Sequence, residues 1–374
     1  MNSQGTGPLP GSGRHLVRGA EPVSGNGPSE WIGCTEMTED GGPVGLTEMM
    51  SSGEHAPVRR RRRRWLGCLP LVLLLMVTVA VGWYLGSHRD LLPLPVAEGC
   101  VASTPDGIVD LDVDQMANAG TITAVTVSRD LPERAATIAL ATAMQESRLV
   151  NLAGGDLDSI GLFQQRPSEG WGDPAQIENP VYSTGRFLDR LVAVPGYAEL
   201  PLTQAAQDVQ HSGYPEAYAQ HEADATVLAG AFSGRSPAGV TCQVNSVGTA
   251  ASAGAGAVAV SGQLTKEFGR AVDPVTLPLP SGSPSPSPSG TTEAQLSVST
   301  RAGLTGTGQR DWAVASWAVA HCQQLHISGV RYAGKQWSAA DSTSGWQPVP
   351  AASGSAQAGS AAGSGTVLIT VAAG

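Results

Sequence analysis

Charge is scarce in this 374-residue chain: Asp, Glu, Lys and Arg make up 14% of it, against 47 Gly and 26 Pro. So little charge beside so much Gly and Pro implies that a good part of the length is linker. Cations are sparse beyond the N-terminal region, where residues 87–374 hold 14 Lys plus Arg against 25 Asp plus Glu, with no basic stripe. That balance excludes sequence-independent binding of a polyanion, so nucleic acid is not an expected partner. A neutral sugar polymer would need no such field. Most catalytic signatures are missing as well. The seven His show no H-E-x-x-H and no clustered ligand spacing, and there is no C-x-x-C, Walker loop, G-x-S-x-G elbow or dinucleotide fingerprint. Metallopeptidase, esterase and nucleotide-dependent activities are therefore excluded, and neither a metal nor a cofactor is expected.

What is present begins with six arginines, Arg59 to Arg64, followed by WLGCLPLVLLLMVTVAVGWYL, which is free of Asp, Glu, Lys and Arg. Twenty-one residues at ~1.5 Å each reach about 31 Å, the thickness of a hydrocarbon core, so a transmembrane helix is expected over 65–86. The arginines hold the N-terminal side in the cytoplasm. The expected location is the cell membrane, with the lipid bilayer contacted through one helix and the C-terminal domains outside.

The remaining chain divides by composition. Residues 1–64 read as a disordered cytoplasmic tail ending in the Arg run, and 87–105 as a stalk. Residues 106–242 carry a helical pattern. Asp130-Leu-Pro-Glu133 opens a helix that runs to about Ser147, Asn179-Pro180 starts another, Thr203 caps a short one, and Pro215 begins a further one that ends at Gly234. Residues 243–300 read as a Gly, Ala, Pro and Ser-rich linker that includes SGSPSPSPS. Residues 301–374 read as a small α+β module: an apolar helix from Gln309 to Leu325, alternation in ISGVRYAGKQWSA, and a final strand VLITVAA. Of five cysteines, Cys100 and Cys242 bracket the helical segment and are expected to pair as a staple in an oxidising compartment. Cys322 is expected to be a buried structural thiol.

The chemistry concentrates in ATAMQESRLVNLAGGDLDSIGLFQQRPSEGWG, from Ala141 to Gly172. Glu146 falls at the C-terminal end of a buried helix, where the dipole disfavours an acid, so folding alone does not call for Glu there. The same potential with apolar neighbours raises a carboxyl pKa, which suits a general acid near neutral pH. A polar glycine turn then returns the chain through Phe163, Gln164 and Gln165, whose amides suit N-acetyl and hydroxyl groups. Trp171 fits either a sugar-stacking ring or a loop anchor; Trp312 and Trp317 fit a core.

Glu146-Ser147, a polar loop, and then Gly161-Leu162-Phe163-Gln164-Gln165-Arg166-Pro167 resemble the signature of the soluble lytic transglycosylase and goose-type lysozyme superfamily. The stretch 100–242 is similar to a membrane-anchored lysozyme-like group of actinobacteria. The resemblance implies a mainly α lysozyme-like domain outside a single transmembrane helix, plus a small C-terminal α+β module. It maps Glu146 onto the catalytic acid and Ser147, Phe163 and Gln164 onto cleft positions, with Gln165 and Asp158 beside them as substrate-binding candidates. The implied partner is the glycan strand of peptidoglycan; no protein partner is indicated. One motif departs from the pattern. Where the family carries A-x-Y-N-x-G, whose Tyr supports the acid, this chain has Asp208-Val-Gln-His-Ser-Gly213, and Tyr214 and Tyr218 are the nearest phenols to take that place.

A single acid implies a transglycosylase route, in which Glu146 protonates the bridging oxygen and then removes the C6 hydroxyl proton. Hydrolysis would instead require Asp156 or Asp158 to hold a water, at ~6.5–9.5 Å from Glu146 for inversion. A lysozyme-like protein that binds glycan or organises the envelope without turnover is the other class of function.

Overall fold

The computed structural model describes residues 69–87, 97–278, 292–301, 307–349 and 365–374. The segments expected as a cytoplasmic tail and most of the expected stalk, the SGSPSPSPS segment and the Gly, Ala and Ser stretch at 351–364 lie outside them.

The N-terminal unit contains one helix, α1 (Leu69–Ser87). Its last described residues are Gly86 and Ser87. Its 19 described residues reach about 28 Å. Among the described residues no helix is long and apolar enough to cross a membrane. This corrects the expected transmembrane span.

The second unit begins at Tyr84. Its elements are β1 (Gly99–Thr104), β2 (Gly107–Leu111), α2 (Val113–Ser128), α3 (Glu133–Ser147), α4 (Pro174–Ile177), α5 (Pro180–Leu191), α6 (Leu202–Gln210) and α7 (Glu222–Phe232). They continue with β3 (Val240–Gln243), α8 (Ala253–Phe268), β4 (Val272–Leu277), β5 (Thr292–Thr300), α9 (Thr307–Ala320), β6 (Ile327–Tyr332), β7 (Lys335–Ser338), β8 (Gln347–Pro348) and β9 (Thr366–Ala373). The strands form two antiparallel sheets, ordered β2-β1-β3 and β4-β5-β9-β6-β7-β8. The architecture is therefore mixed α and β, which corrects the mainly α expectation.

The physical reasons are local. Strand β1 reads GCVAST, short and built of small residues, so its in-out alternation is faint in sequence although Cys100 and Ala102 are both buried. The stretch read as linker holds α8, whose Ala257, Val260, Leu264 and Phe268 form a buried helical stripe, with Ser252 capping the amide of Ala255 at 3.1 Å. Glycine and alanine disguised that stripe. Strand β4 carries Pro274 and lies at a sheet edge, where a missing N–H is tolerated.

Helix α9 is apolar nearly all round, and a helix of that kind needs cover on every side. It packs on β6, on α2 and on α7. Helix α2 is itself buried along most of its length, so residues from Ala102 to Ile369 share one apolar core. Arg310 at the start of α9, only 4% exposed, reaches Asp130 at 2.7 Å. Cys100 and Cys242 face each other in the β1–β3 ladder and are joined as a disulfide, as expected. Cys322 is buried, and burial pushes its thiol up to about 12.

Candidate active site

Helix α3 begins behind Pro132 and places Glu146 one residue before its end. The chain then turns sharply: Arg148 and Leu149 both have positive φ, 55° and 61°. Such a pair is strained for non-glycine residues and persists only where partners hold it. Two amides of α2 do so. Gln115 Nε2 donates to the Arg148 carbonyl and Asn118 Nδ2 to the Leu149 carbonyl, both at 2.8 Å. Ser147 adds a third tie, its hydroxyl donating to the Leu162 carbonyl at 2.7 Å.

Glu146 is half-buried, and burial raises its pKa above the ordinary carboxylate value, with hydrogen bonds from Tyr218 and Gln210 acting in the opposite direction. The Tyr218 hydroxyl donates to Glu146 Oε1 at 2.7 Å. Tyr218 is fully buried on the turn Pro215–His221, and burial together with the adjacent carboxylate pushes its phenol well above the usual tyrosine range. It therefore stays a proton-bearing donor. Gln210, which stands where the resemblance leads one to expect the supporting Tyr, ends α6. Its Nε2 donates to the Phe163 carbonyl at 2.8 Å, while its Oε1 is buried without a donor among the described residues. Two residues thus share the place of the missing motif phenol. Neighbouring Gln145 accepts from Gln220 Nε2 at 3.0 Å and lies 3.1 Å from His221 Nε2. Tyr214, 79% exposed, leaves its ring free on the same segment.

The other expected site residues have partners within the fold. Phe163 is fully buried and stacks on Phe187 at 4.8 Å, so its ring belongs to the core. Gln164 accepts from the Ser159 hydroxyl at 3.0 Å and donates to the Gly161 carbonyl at 3.1 Å, which uses its amide to close its own loop. Gly155 is required by that amide, since a Cβ there would fall 1.7 Å from Gln164 Oε1. Gln165 is buried and donates to the Ser183 carbonyl at 3.0 Å. Ser147 is buried in the tie already described. The reason is common to Ser147, Gln164 and Gln165: a tight polar loop folded against a core must satisfy its backbone from within.

Asp158 accepts from Arg166 Nε at 2.8 Å and from the Ser168 amide at 2.9 Å. Those bonds, Arg166 first, hold its carboxyl down to about 2. Trp171 is buried with the Arg190 guanidinium 3.4 Å over its ring, which makes it a loop anchor. Trp312 and Trp317 are buried in the core. Glu146, Tyr218 and Gln210 are the group brought together by folding, and two of the three come from the segment 208–221, which the motif comparison marked only by what it lacked. No family model matches the chain, and no curated protein matches it.

Proposed function

We propose that this protein cleaves the β-1,4 glycan of peptidoglycan as a lytic transglycosylase, with Glu146 as its acid and base. The observation that carries the reading is the 2.7 Å hydrogen bond from Tyr218 to Glu146. A buried carboxyl with a raised pKa, held by a phenol that does not itself titrate near neutrality, is a positioned proton donor. Glu146 gives its proton to the bridging oxygen as the bond from C1 to that oxygen breaks. The C6 hydroxyl then attacks C1, and its proton returns to Glu146 as the 1,6-anhydro ring closes. No water is consumed and the acid is regenerated.

The single-acid route is supported by the surroundings: no carboxylate is among the groups that shift Glu146, and Asp158 is engaged by Arg166 and Ser168. The exposed ring of Tyr214 offers a sugar platform on the same segment. The disulfide favours an oxidising location outside the cytoplasm. A second reading, a glycan-binding or envelope-organising protein without turnover, is favoured by the inward-facing amides of Gln164 and Gln165.

Purified peptidoglycan treated with the full chain, wild type beside Glu146→Gln, separates these. Anhydro-ended fragments lost in the variant are expected. New reducing ends would mean hydrolysis, and sedimentation with the wall without fragments would mean the binding role. Equal release by both proteins would remove Glu146 from the chemistry.

A further inference from the structure

Away from Glu146, a cavity of about 920 Å³ opens between α2, the start of α5, α8 and the end of α9. That volume stands at the upper end of the roughly 300–1,000 Å³ of ligand pockets. Both halves of the chain line it: Asp114 and Asn118 from α2, Asn151 from the turn after α3, and Gln263, His321 and Gln324 from the C-terminal half.

The orientation of its amides follows from partners that cannot donate. Asn118 Nδ2 donates to the Leu149 carbonyl at 2.8 Å and Asn151 Nδ2 to the Glu178 carbonyl at 2.7 Å. Gln263 Nε2 donates to the Glu267 carboxylate at 2.7 Å, and Gln324 Nε2 to the Asp114 carboxylate at 3.2 Å. Each of these four nitrogens is turned to the protein, so each of the four amide oxygens is left without a donor among the described residues, whereas the lining oxygens of Gln115 and Asn179 accept from backbone amides. At the cavity floor, His321 places Nδ1 2.9 Å from the Trp317 carbonyl and Nε2 3.3 Å from the Thr121 hydroxyl and 3.7 Å from Glu267 Oε1. The His321 and Thr121 side chains are at least nine-tenths buried. Behind them Glu267 is fully buried, accepting from the Trp317 indole at 2.6 Å.

The cavity is thus rich in acceptors, with Lys266 at its exposed rim offsetting Asp114. Leu149, Pro180 and Val181 supply apolar wall. An ammonium ligand would meet Lys266, and a peptide would bring as many carbonyl acceptors as donors. Hydroxyl groups match, because each can donate to an amide oxygen and their ring C–H faces suit the apolar wall. We infer that this cavity binds a neutral oligosaccharide, held through its hydroxyls by the amide oxygens of Asn118, Asn151, Gln263 and Gln324. It is a second glycan site, independent of turnover at Glu146.

The test is calorimetric titration of the full chain carrying Glu146→Gln with chitotriose and with maltotriose, before and after two changes at the cavity. Gln263→Leu with Gln324→Leu removes two acceptors, and Val150→Trp, at an exposed lining position, fills the mouth without touching the core. At least a tenfold loss of affinity for one of the sugars is expected in both variants. In an otherwise wild-type chain, wall cleavage is expected to stay within about twofold of its starting rate. If the double variant melts early, Val150→Trp decides alone. Unchanged sugar affinity in folded protein overturns the inference, as does cavity-dependent binding of spermidine or trialanine in place of sugar. Because the readout is binding, it is informative even for a chain that cleaves no wall.

Discussion

The hydroxyl of Tyr218 and the carboxylate of Glu146, 72 residues apart in sequence, meet at 2.7 Å. Tyr218→Phe keeps the buried ring and removes this donor. A hydrogen bond to a charged group contributes about 1.5–3 kcal/mol, so kcat is expected to fall roughly 10- to 100-fold with little change in KM. The bond lowers the Glu146 pKa, so its loss raises that pKa further. The alkaline limb of the rate profile, where the acid loses its proton, should then move to higher pH. A limb that stays in place would show that Tyr218 serves only packing.

Glu146 also leaves a signature in stability. Its folded pKa is raised by burial, so the native state binds this proton more tightly than the unfolded chain does. Stability attributable to the group therefore falls as pH rises from the ordinary carboxylate value through the folded one, and stays reduced above it. Glu146→Gln should melt higher than wild type at pH 7, and the difference should close as the pH falls below about 4. A variant that melts lower at pH 7 would mean the ionised carboxylate is a net stabiliser.

Much of this arrangement was visible in sequence, and the rest was hidden for identifiable reasons. Asn179-Pro180 announced α5, and Asn179 Oδ1 does accept from the amides of Val181 and Tyr182. Cys100 and Cys242 were legible as a pair because they bracket one segment. The role of Gln210 was not, since a Gln in place of a Tyr looks like a loss until Tyr218 is seen entering from the next turn. Phe163 and Gln164 match a motif, yet a motif does not say which face of a loop is turned inward. Helix α8 was hidden because Ala and Gly suit linkers and closely packed helices alike.

Gly161 fixes the return of the loop toward the site. Its φ is +79°, and a Cβ there would fall 2.9 Å from the Ile177 carbonyl. Gly161→Ala should cost about 1–3 kcal/mol in urea unfolding, combining left-handed strain with that contact. A smaller loss would show that the loop can relax away from α4.

The disulfide between Cys100 and Cys242 closes 142 residues of chain. Loop-closure entropy for so long a segment corresponds to about 4–5 kcal/mol. Cys100→Ser with Cys242→Ser should lower the urea midpoint accordingly. In the native wild type, Cys322 should resist alkylation at pH 8, because its thiol is buried and pushed up to about 12. Rapid labelling of the folded protein would contradict that burial.

Asp158 is one of the two carboxylates that a hydrolytic route could use. As the water-holding base of a hydrolase, it would need a carboxylate free to take a proton at working pH. Here its oxygens receive Arg166 Nε and the amide and hydroxyl of Ser168, and its carboxyl is held down to about 2. A base so acidified is a poor proton acceptor near neutrality, whereas an ion pair that pins a loop needs that charge. Asp158→Asn should therefore leave the rate on peptidoglycan within about threefold, since a solvent-screened ion pair away from the acid contributes little, and should leave anhydro ends as the product. The lowered pKa also sets its acid dependence: whatever the pair contributes is present above the unfolded carboxyl pKa and lost as pH falls toward about 2. If Asp158→Asn abolishes turnover as completely as Glu146→Gln, and the wild type releases reducing ends, the ion pair must open during the reaction and the single-acid route is wrong.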